Sequence, residues 1–306
     1  MKLGLIGFGY WGKKVFDEYH NLLKEGKIEK LMVFDSNAEV SNFIPSYIKF
    51  ADSVGEVVEN SDLLHVCSPN NTHYELGVKI LTEGKHLLME KPLTTNSDEA
   101  LKLLDLSKKK GLTFLTGHIY VFSNIIAKVK NLIREKEIGN VEYIDIVWGH
   151  IFPNKSSADS GVYFDLLPHP LYILNTLTEM WPTETKIAYP NNLSISRNDI
   201  AIVNCRYANG LDTRITVSGV HPVKVRRIEI IGSTGTILCN VLTGEISILN
   251  QRSSVKNRTE HLKGNNTILD EISCFINSVE TKTICENSGF QGYQVVKIIE
   301  TIMGGK

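Results

Sequence analysis

The sequence predicts an α/β protein in two parts: residues 1–118 as a doubly wound parallel sheet, and 119–306 as an α+β domain with a large open, mostly antiparallel sheet. Three observations predict it. Over the first part, short apolar runs alternate with amphipathic helical segments, the pattern of a parallel sheet covered on both faces. From Asp199 onward the period drops to two, with Ala201, Val203, Cys205 and Tyr207 on one side. The chain also opens with a glycine-rich turn placed between a strand and a helix.

That turn is Gly7-Phe8-Gly9-Tyr10-Trp11-Gly12, after the apolar run 3–6 and before a helix carrying Lys13, Lys14 and Val15. In such a series the first glycine makes the tight turn and the second lets backbone approach a pyrophosphate. The third lets the helix pack closely on the strand. The helix N-terminus adds unpaired N–H groups and a positive dipole end. Asp35 closes the next apolar segment, 31–34, and an acid about 20 residues on is the expected ribose ligand. The stretch reads as a dinucleotide site, with a plain structural turn as the other reading. Ser36-Asn37-Ala38-Glu39 contains no arginine to welcome a 2′-phosphate, so NAD is expected over NADP, although Ser36 leaves NADP open.

The next strand, 63–67, ends in Ser68-Pro69-Asn70-Asn71-Thr72-His73. Thr72 is the expected N-cap of a helix through Leu76, Val78, Ile80 and Leu81, which Gly84 terminates. Strand 86–89 runs into Glu90-Lys91-Pro92; a helix over 97–110 and a strand over 112–116 follow. Ligands of parallel sheets bind beyond the C-terminal strand ends, where Asp35, Ser68, Glu90, Lys91 and Gly117 all fall. A helix with Ile125, Ile126, Val129, Leu132 and Ile133 on one stripe then leads to a long strand ending near Trp148. Another helix is expected over 165–178. Asn209-Gly210 makes a hairpin turn into Leu211, Thr213, Ile215 and Val217, and strands are expected around 225–231, 236–241 and 245–249. Two amphipathic helices close the chain, one with Ile268, Leu269, Ile272, Phe275 and Ile276, the other with Val295, Ile299, Ile302 and Met303. No helix is left to cover the far face of the second sheet. Such a face usually meets another subunit, so a homodimer or homotetramer is expected.

The 306 residues are 42% hydrophobic and 22% charged with a net charge of −1, the balance of a soluble globular protein without an electrostatic case for nucleic acid. Lys108-Lys109-Lys110 sits at a predicted helix end, where cations suit the dipole. With no signal-peptide pattern and no long apolar run, a cytoplasmic protein without membrane contact is expected. Cys67, Cys205, Cys239, Cys274 and Cys285 are odd in number and lack C-x-x-C spacing, and read as reduced core residues. The histidines show no metal-ligand spacing, so no metal site is expected.

Two places carry chemistry. Lys91, between Glu90 and Pro92 at a central strand end, is aimed over the cofactor rim, where an ammonium stabilises oxyanion character on a reacting oxygen. A surface lysine ion-paired with its glutamate is the competing reading. Asp165 and His169 stand four apart at a predicted helix start, with Pro168 and Pro170 suited to a first turn. The carboxylate can orient the imidazole, leaving the histidine as a proton shuttle near neutrality. A capping aspartate and an ordinary helix histidine would give the same spacing.

Taken together, Gly7–Gly12, Ser68–His73, Glu90-Lys91-Pro92 and Asp165-Leu166-Leu167-Pro168-His169 occur in the order seen in the Gfo/Idh/MocA family, the glucose–fructose oxidoreductase and inositol dehydrogenase relatives. The chain resembles that family over essentially its whole length, and the Glu-Lys-Pro element with the Asp-x-x-x-His helix is far more specific than the glycines. The resemblance implies an N-terminal Rossmann domain, a C-terminal domain whose open sheet serves oligomerisation, and hydride transfer at a sugar or cyclitol hydroxyl carbon. It implies that Lys91 binds the reacting oxygen and that His169, supported by Asp165, is the acid/base, the three lining the substrate site. It further implies that Glu90 and Pro92 shape the nicotinamide pocket, with Cys67, Ser68, Pro69, Asn70 and His73 lining the cofactor cleft beside Asp35 and Ser36.

A finer likeness, through Asp-Leu-Leu-Pro-His and the later His221-Pro222-Val223-Lys224-Val225-Arg226-Arg227, is to the branch acting on nucleotide-linked or amino sugars. Pro170 and Gly219-Val220-His221 depart from that branch, which leaves the substrate open. Lys224, Arg226 and Arg227 read equally as anion ligands or as solvated edge charges. A non-catalytic nucleotide sensor on the same fold is the alternative function, since fold does not determine function.

Overall fold

A computed structural model describes residues 1–151, 161–188, 199–250 and 256–304. It divides into two compact units, 1–118 with 268–296, and 119–267 with 297–306.

The first unit begins β1 (Lys2–Ile6), α1 (Tyr10–Lys24), β2 (Lys30–Phe34), β3 (Lys49–Phe50), α2 (Val54–Glu59), β4 (Leu63–Val66), α3 (His73–Thr82), β5 (His86–Glu90), α4 (Ser97–Lys110) and β6 (Phe114–Gly117). The strands form one parallel sheet in the order β3-β2-β1-β4-β5-β6. The chain leaves β1 to one side for β2 and β3 and to the other for β4 to β6, so the order reverses at β1. Ligands bind at such a switch point. The central strands are apolar because both faces are covered: Leu63, Leu64, Val66, Leu87, Leu88 and Met89 are all fully buried. α4 is bounded by local chemistry. The Asn96 side chain accepts the Glu99 N–H at 3.1 Å, and Gly111 ends the helix at φ +65° after three lysines. Thr72 does not cap α3, contrary to expectation; its hydroxyl donates to the Pro69 carbonyl and meets Ser68 Oγ, both at 2.7 Å.

The second unit contains α5 (Asn124–Arg134), β7 (Val141–Ile151), α6 (Gly161–Asp165), α7 (Pro168–Thr178), β8 (Glu184–Ala188), β9 (Ile200–Arg206), β10 (Asp212–Ser218), β11 (Val220–Gly232), β12 (Gly235–Asn240), β13 (Glu245–Asn250) and β14 (Arg258–His261). Its eight strands lie in the order β14-β13-β12-β11-β7-β10-β9-β8, antiparallel except where β10 runs parallel to β7. Two-residue alternation puts Val203, Ile215, Ile146, Ile228, Cys239 and Ile246 in register across six strands as one buried row. The opposite face is mixed. Val147, Ile202, Leu238 and Leu249 are half-buried there among the Arg214–Asp145 and Arg206–Asp212 pairs, each with an N···O distance of 2.8 Å. The strands β8 and β14 escape the sequence pattern because their segments, Glu-Thr-Lys-Ile-Ala and Arg-Thr-Glu-His, have no apolar alternation.

Residues 268–296, most of α8 (Thr267–Thr281) and the first half of α9 (Gly289–Gly304), belong to the first unit. There the Asn287 carbonyl accepts the Thr116 N–H at 2.8 Å, and its side chain donates to the Thr116 carbonyl at 2.9 Å. One expectation is overturned here. Cys274 and Cys285 form a disulfide, with Cα atoms 6.3 Å apart, so only Cys67, Cys205 and Cys239 are free. The turn after α8 folds the chain back on itself, and a separation of 11 in sequence does not disclose that approach. Among the described residues no helix is long and apolar enough to cross a membrane.

Candidate active site

The glycine-rich turn has the geometry its spacing predicts. Gly7 sits at φ +96°, and a Cβ on Gly12 would lie 2.1 Å from the Gly7 carbonyl oxygen, so neither tolerates a side chain. Gly9 has nothing within 4 Å of where its Cβ would stand. α1 starts there with no side-chain cap and no acid in its first turn, leaving its N–H groups for an anion. A cleft of about 800 Å³ opens beside it, lined by Gly7, Gly9, Asp35, Ser36, Cys67, Ser68 and Pro69, all named from the sequence. Val54, Thr72, Leu76 and Lys79 line it too and were not foreseen as site residues. Asp35 is pinned at its mouth: Oδ2 accepts the Phe8 N–H at 2.6 Å and Oδ1 the Asn37 N–H at 2.9 Å. The uncapped helix end, the open space over Gly9 and the acid at the end of β2 fit a dinucleotide.

Of the other expected cofactor residues, Tyr10 is exposed, Asn70 lies in the turn before α3, and His73 is buried. His73 bridges two rim segments, its ring nitrogens 2.9 Å from the Ser68 and Pro92 carbonyls. Burial lowers its pKa, which the two carbonyls oppose.

Below the rim, Glu90 gathers three donors: Trp11 Nε1 at 2.5 Å, the Lys91 N–H at 3.3 Å and His65 Nε2 at 3.3 Å. Facing a carboxylate, Nε2 carries the proton, and His65 Nδ1 lies 3.1 Å from the Tyr19 hydroxyl. Potential metal-ligand atoms of His65, Cys67 and Glu90 lie within 4.8 Å of one another. Glu90 is committed to three N–H groups, and with His65 it braces the rim through hydrogen bonds. Burial pushes the Cys67 thiol and the Tyr19 hydroxyl well up, so both stay neutral.

Lys91 leaves β5 at this level, half-buried, before a cis bond to Pro92. Its charge bears on His118, just past the end of β6; burial first, then the lysine, depress that imidazole to about 3. His118 is therefore neutral at any physiological pH. Sequence reading missed His65 and His118. A histidine inside the apolar run Leu63–Val66 was the available signal for the first, and a polar residue at a strand's C-terminal end for the second.

In the second unit the expected single helix over 165–178 is two. Asp165 ends α6 and His169 lies in the first turn of α7, with the chain turning at Leu166 and Leu167. Pro168 and Pro170 have no N–H to carry the helix ladder across this corner, although Leu167 itself keeps helical dihedrals, φ −63° and ψ −30°. The pair is thus placed by a corner between helices. His169 stands against an aromatic wall: the Tyr120 ring is 5.0 Å away and the Trp148 ring 6.2 Å, with Tyr120 edge-on to Trp148 at 4.7 Å. Arg226 lies over Trp148, Cζ 4.5 Å from the ring centre. Arg226 is buried, which overturns its reading as a solvated edge charge; Lys224 and Arg227 are exposed.

Comparison with known proteins agrees with both units. Residues 1–118 match the family model described as the Gfo/Idh/MocA oxidoreductase family with an NAD-binding Rossmann fold, and residues 126–238 match the Gfo/Idh/MocA C-terminal domain. The UDP-N-acetylglucosamine 3-dehydrogenase of Acidithiobacillus ferrooxidans is 23% identical over 97% of this chain and 94% of its own. An uncharacterised oxidoreductase of Streptococcus pneumoniae is 30% identical over 47% of this chain, a match spanning 39% of that protein. A levoglucosan dehydrogenase solved with NADH and levoglucosan superposes with a TM-score of 0.85 at 18% identity, covering 99% of this chain and 96% of that one. The two domain matches and the sequence motifs agree: the chain belongs to the Gfo/Idh/MocA oxidoreductase family, with an NAD-binding Rossmann domain at its N-terminus.

Proposed function

We propose that this protein is an NAD-dependent dehydrogenase or ketoreductase acting at a hydroxyl or keto carbon of a sugar, nucleotide sugar or cyclitol. The observation that carries this reading is Lys91. It leaves β5 on the rim that also bears Gly7, Asp35 and Ser68, and the imidazole its charge faces, His118, is held neutral. At that rim an ammonium suits the stabilisation of a reacting oxygen.

The nicotinamide ring, when bound, accepts or supplies the hydride. The residues of this chain do the rest. Lys91 donates a hydrogen bond to the substrate oxygen and stabilises negative charge developing there. His169 takes the hydroxyl proton during oxidation and returns it during reduction, with Asp165 orienting and balancing the imidazole. Gly7, Gly9 and the start of α1 hold the pyrophosphate, and Asp35 holds the adenine ribose. Tyr120 and Trp148 give His169 an apolar backing, and the charges there act more strongly than in water. The resemblance to nucleotide-sugar and inositol dehydrogenases supports the substrate class, and the open face of the second sheet supports a homodimer or homotetramer.

The test is a thermal-shift screen of nucleotide sugars, sugars and inositols with NAD⁺ or NADP⁺ present, followed by NADH turnover for every compound that stabilises the protein. Turnover of one of these classes supports the proposal. NAD binding without turnover of any of them would favour a sensor.

A further inference from the structure

Arg226 is an expensive residue to bury. It is 4% exposed, and its place follows from strand parity, because Arg226, Ile228 and Ile230 alternate onto the inner face of β11. A guanidinium in such a place must be bonded or balanced. Nη1 donates to the carbonyls of Gly149 at 2.9 Å and Val225 at 2.7 Å, and Nη2 lies 3.3 Å from His150 Nδ1. The Nε–H has no hydrogen-bond partner among the described residues. A methionine would fill this volume without a desolvation cost, and replacing buried ions by apolar groups is often neutral or stabilising. Packing alone therefore does not explain the arginine.

What the guanidinium touches does. Its face covers Trp148, and Trp148 and Tyr120 form the wall behind His169. Burial lowers its pKa, while the Tyr120 hydroxyl and the Asp165 carboxylate oppose that shift, so both bear directly on the charge. We propose that Arg226 is a positioning residue for the His169–Asp165 pair: it clamps the Trp148–Tyr120 wall against which the imidazole stands and balances the Asp165 carboxylate. The inference rests on the catalytic reading of His169.

Among the described residues, Tyr120 from the turn before α5, His150 from β7 and Asp165 from the end of α6 bear on Arg226, and His169 of α7 stands against the Trp148 ring that the guanidinium covers. With the arginine gone, its repulsion of an imidazolium disappears and the Asp165 charge is left unbalanced. Both effects favour the protonated imidazole, so the His169 titration moves to higher pH.

The test uses the full chain with Arg226→Met, which keeps length and packing; Arg226→Lys, which keeps charge but loses the planar fork; and Tyr120→Phe, which keeps the ring and removes the hydroxyl. His169 is titrated by proton NMR, its signal assigned with His169→Gln, and NADH affinity is measured in parallel. We expect Arg226→Met to raise the His169 midpoint by about half a pH unit or more, the order expected for loss of a nearby unit charge at an effective dielectric constant near 20. Arg226→Lys should restore most of that shift, NADH affinity should not change, and kcat on a turned-over substrate should fall in Arg226→Met. A folded Arg226→Met whose His169 titrates as wild type overturns the proposal. If that variant does not fold, Tyr120→Phe decides: a smaller rise in the midpoint supports the proposal, and a wild-type curve overturns it. The titration needs no substrate, so a protein that turns over no sugar would sink the catalytic reading of His169 and still leave the role of Arg226 decided.

Discussion

The indole Nε1 of Trp11 donates to Glu90 Oε1 at 2.5 Å, joining the first turn of α1 to the C-terminal end of β5. The residue after that glutamate is Lys91, whose own N–H bonds Glu90 Oε2 at 3.3 Å. The candidate phosphate-binding helix end and the candidate catalytic lysine are thereby held by one side chain. Trp11→Phe removes a donor from a carboxylate that is 7% exposed. A loss of about 1–3 kcal/mol in urea unfolding is expected, together with weaker NADH binding, because a buried carboxylate loses its shortest hydrogen bond. Unchanged stability would show that the bond contributes nothing.

A second prediction concerns Glu271, which is buried and accepts from the Asn287 side chain at 3.0 Å. Burial first, then the charge of Glu90, push its carboxyl well above the ordinary value of 4.5. The folded protein therefore holds a proton that the unfolded chain releases, and its stability falls as pH rises above 4.5. Glu271→Gln should melt at a higher temperature than wild type at pH 7 to 8, with the gap closing toward pH 4.5. A gap that is the same at every pH would reject this account of Glu271.

For the cofactor, Asp35 is held at the cleft mouth by the Phe8 and Asn37 N–H groups, where its carboxylate would meet ribose hydroxyls and repel a 2′-phosphate. NADH should bind at least about tenfold more tightly than NADPH, a difference of about 1.4 kcal/mol, and Asp35→Ser should narrow the gap. Tighter NADPH binding in a fluorescence titration would overturn the preference.

For catalysis, His169→Ala or Lys91→Ala should leave NAD affinity nearly unchanged and lower kcat by about 10²–10⁴, the usual size of lost acid–base catalysis. Lys91→Arg should not rescue, since a planar fork does not replace a compact ammonium. Asp165→Asn should do less damage than His169→Ala. Near-wild-type turnover in both alanine variants would move the site elsewhere.

For assembly, the mixed face bearing Val147, Ile202, Leu238 and Leu249 should be covered by a second subunit. Light scattering should report a dimer or tetramer of the 34.3 kDa chain; a monomer at micromolar concentration removes the proposal.

The sequence alone determined the features written in local order. The Gly7–Gly12 turn, the α4 boundaries at Asn96 and Gly111, and the hairpin at Asn209-Gly210 depend on residues within a few positions of one another. Strand and helix periods need no distant partner either. Tertiary structure decided what depends on distant residues meeting. The approach of Cys274 to Cys285 and the burial of Glu271 beside Asn287 come from how 268–296 folds, and no period records that. The His169 wall draws Tyr120, Trp148 and Arg226 from well-separated stretches of the second unit. The sequence left Arg226 open between an anion ligand and a solvated edge charge; the aromatic face and two carbonyls that receive it became visible only in the folded chain. The sequence placed Asp165 and His169 in the first turn of one helix; the break that puts them on α6 and α7 emerged only in the structure.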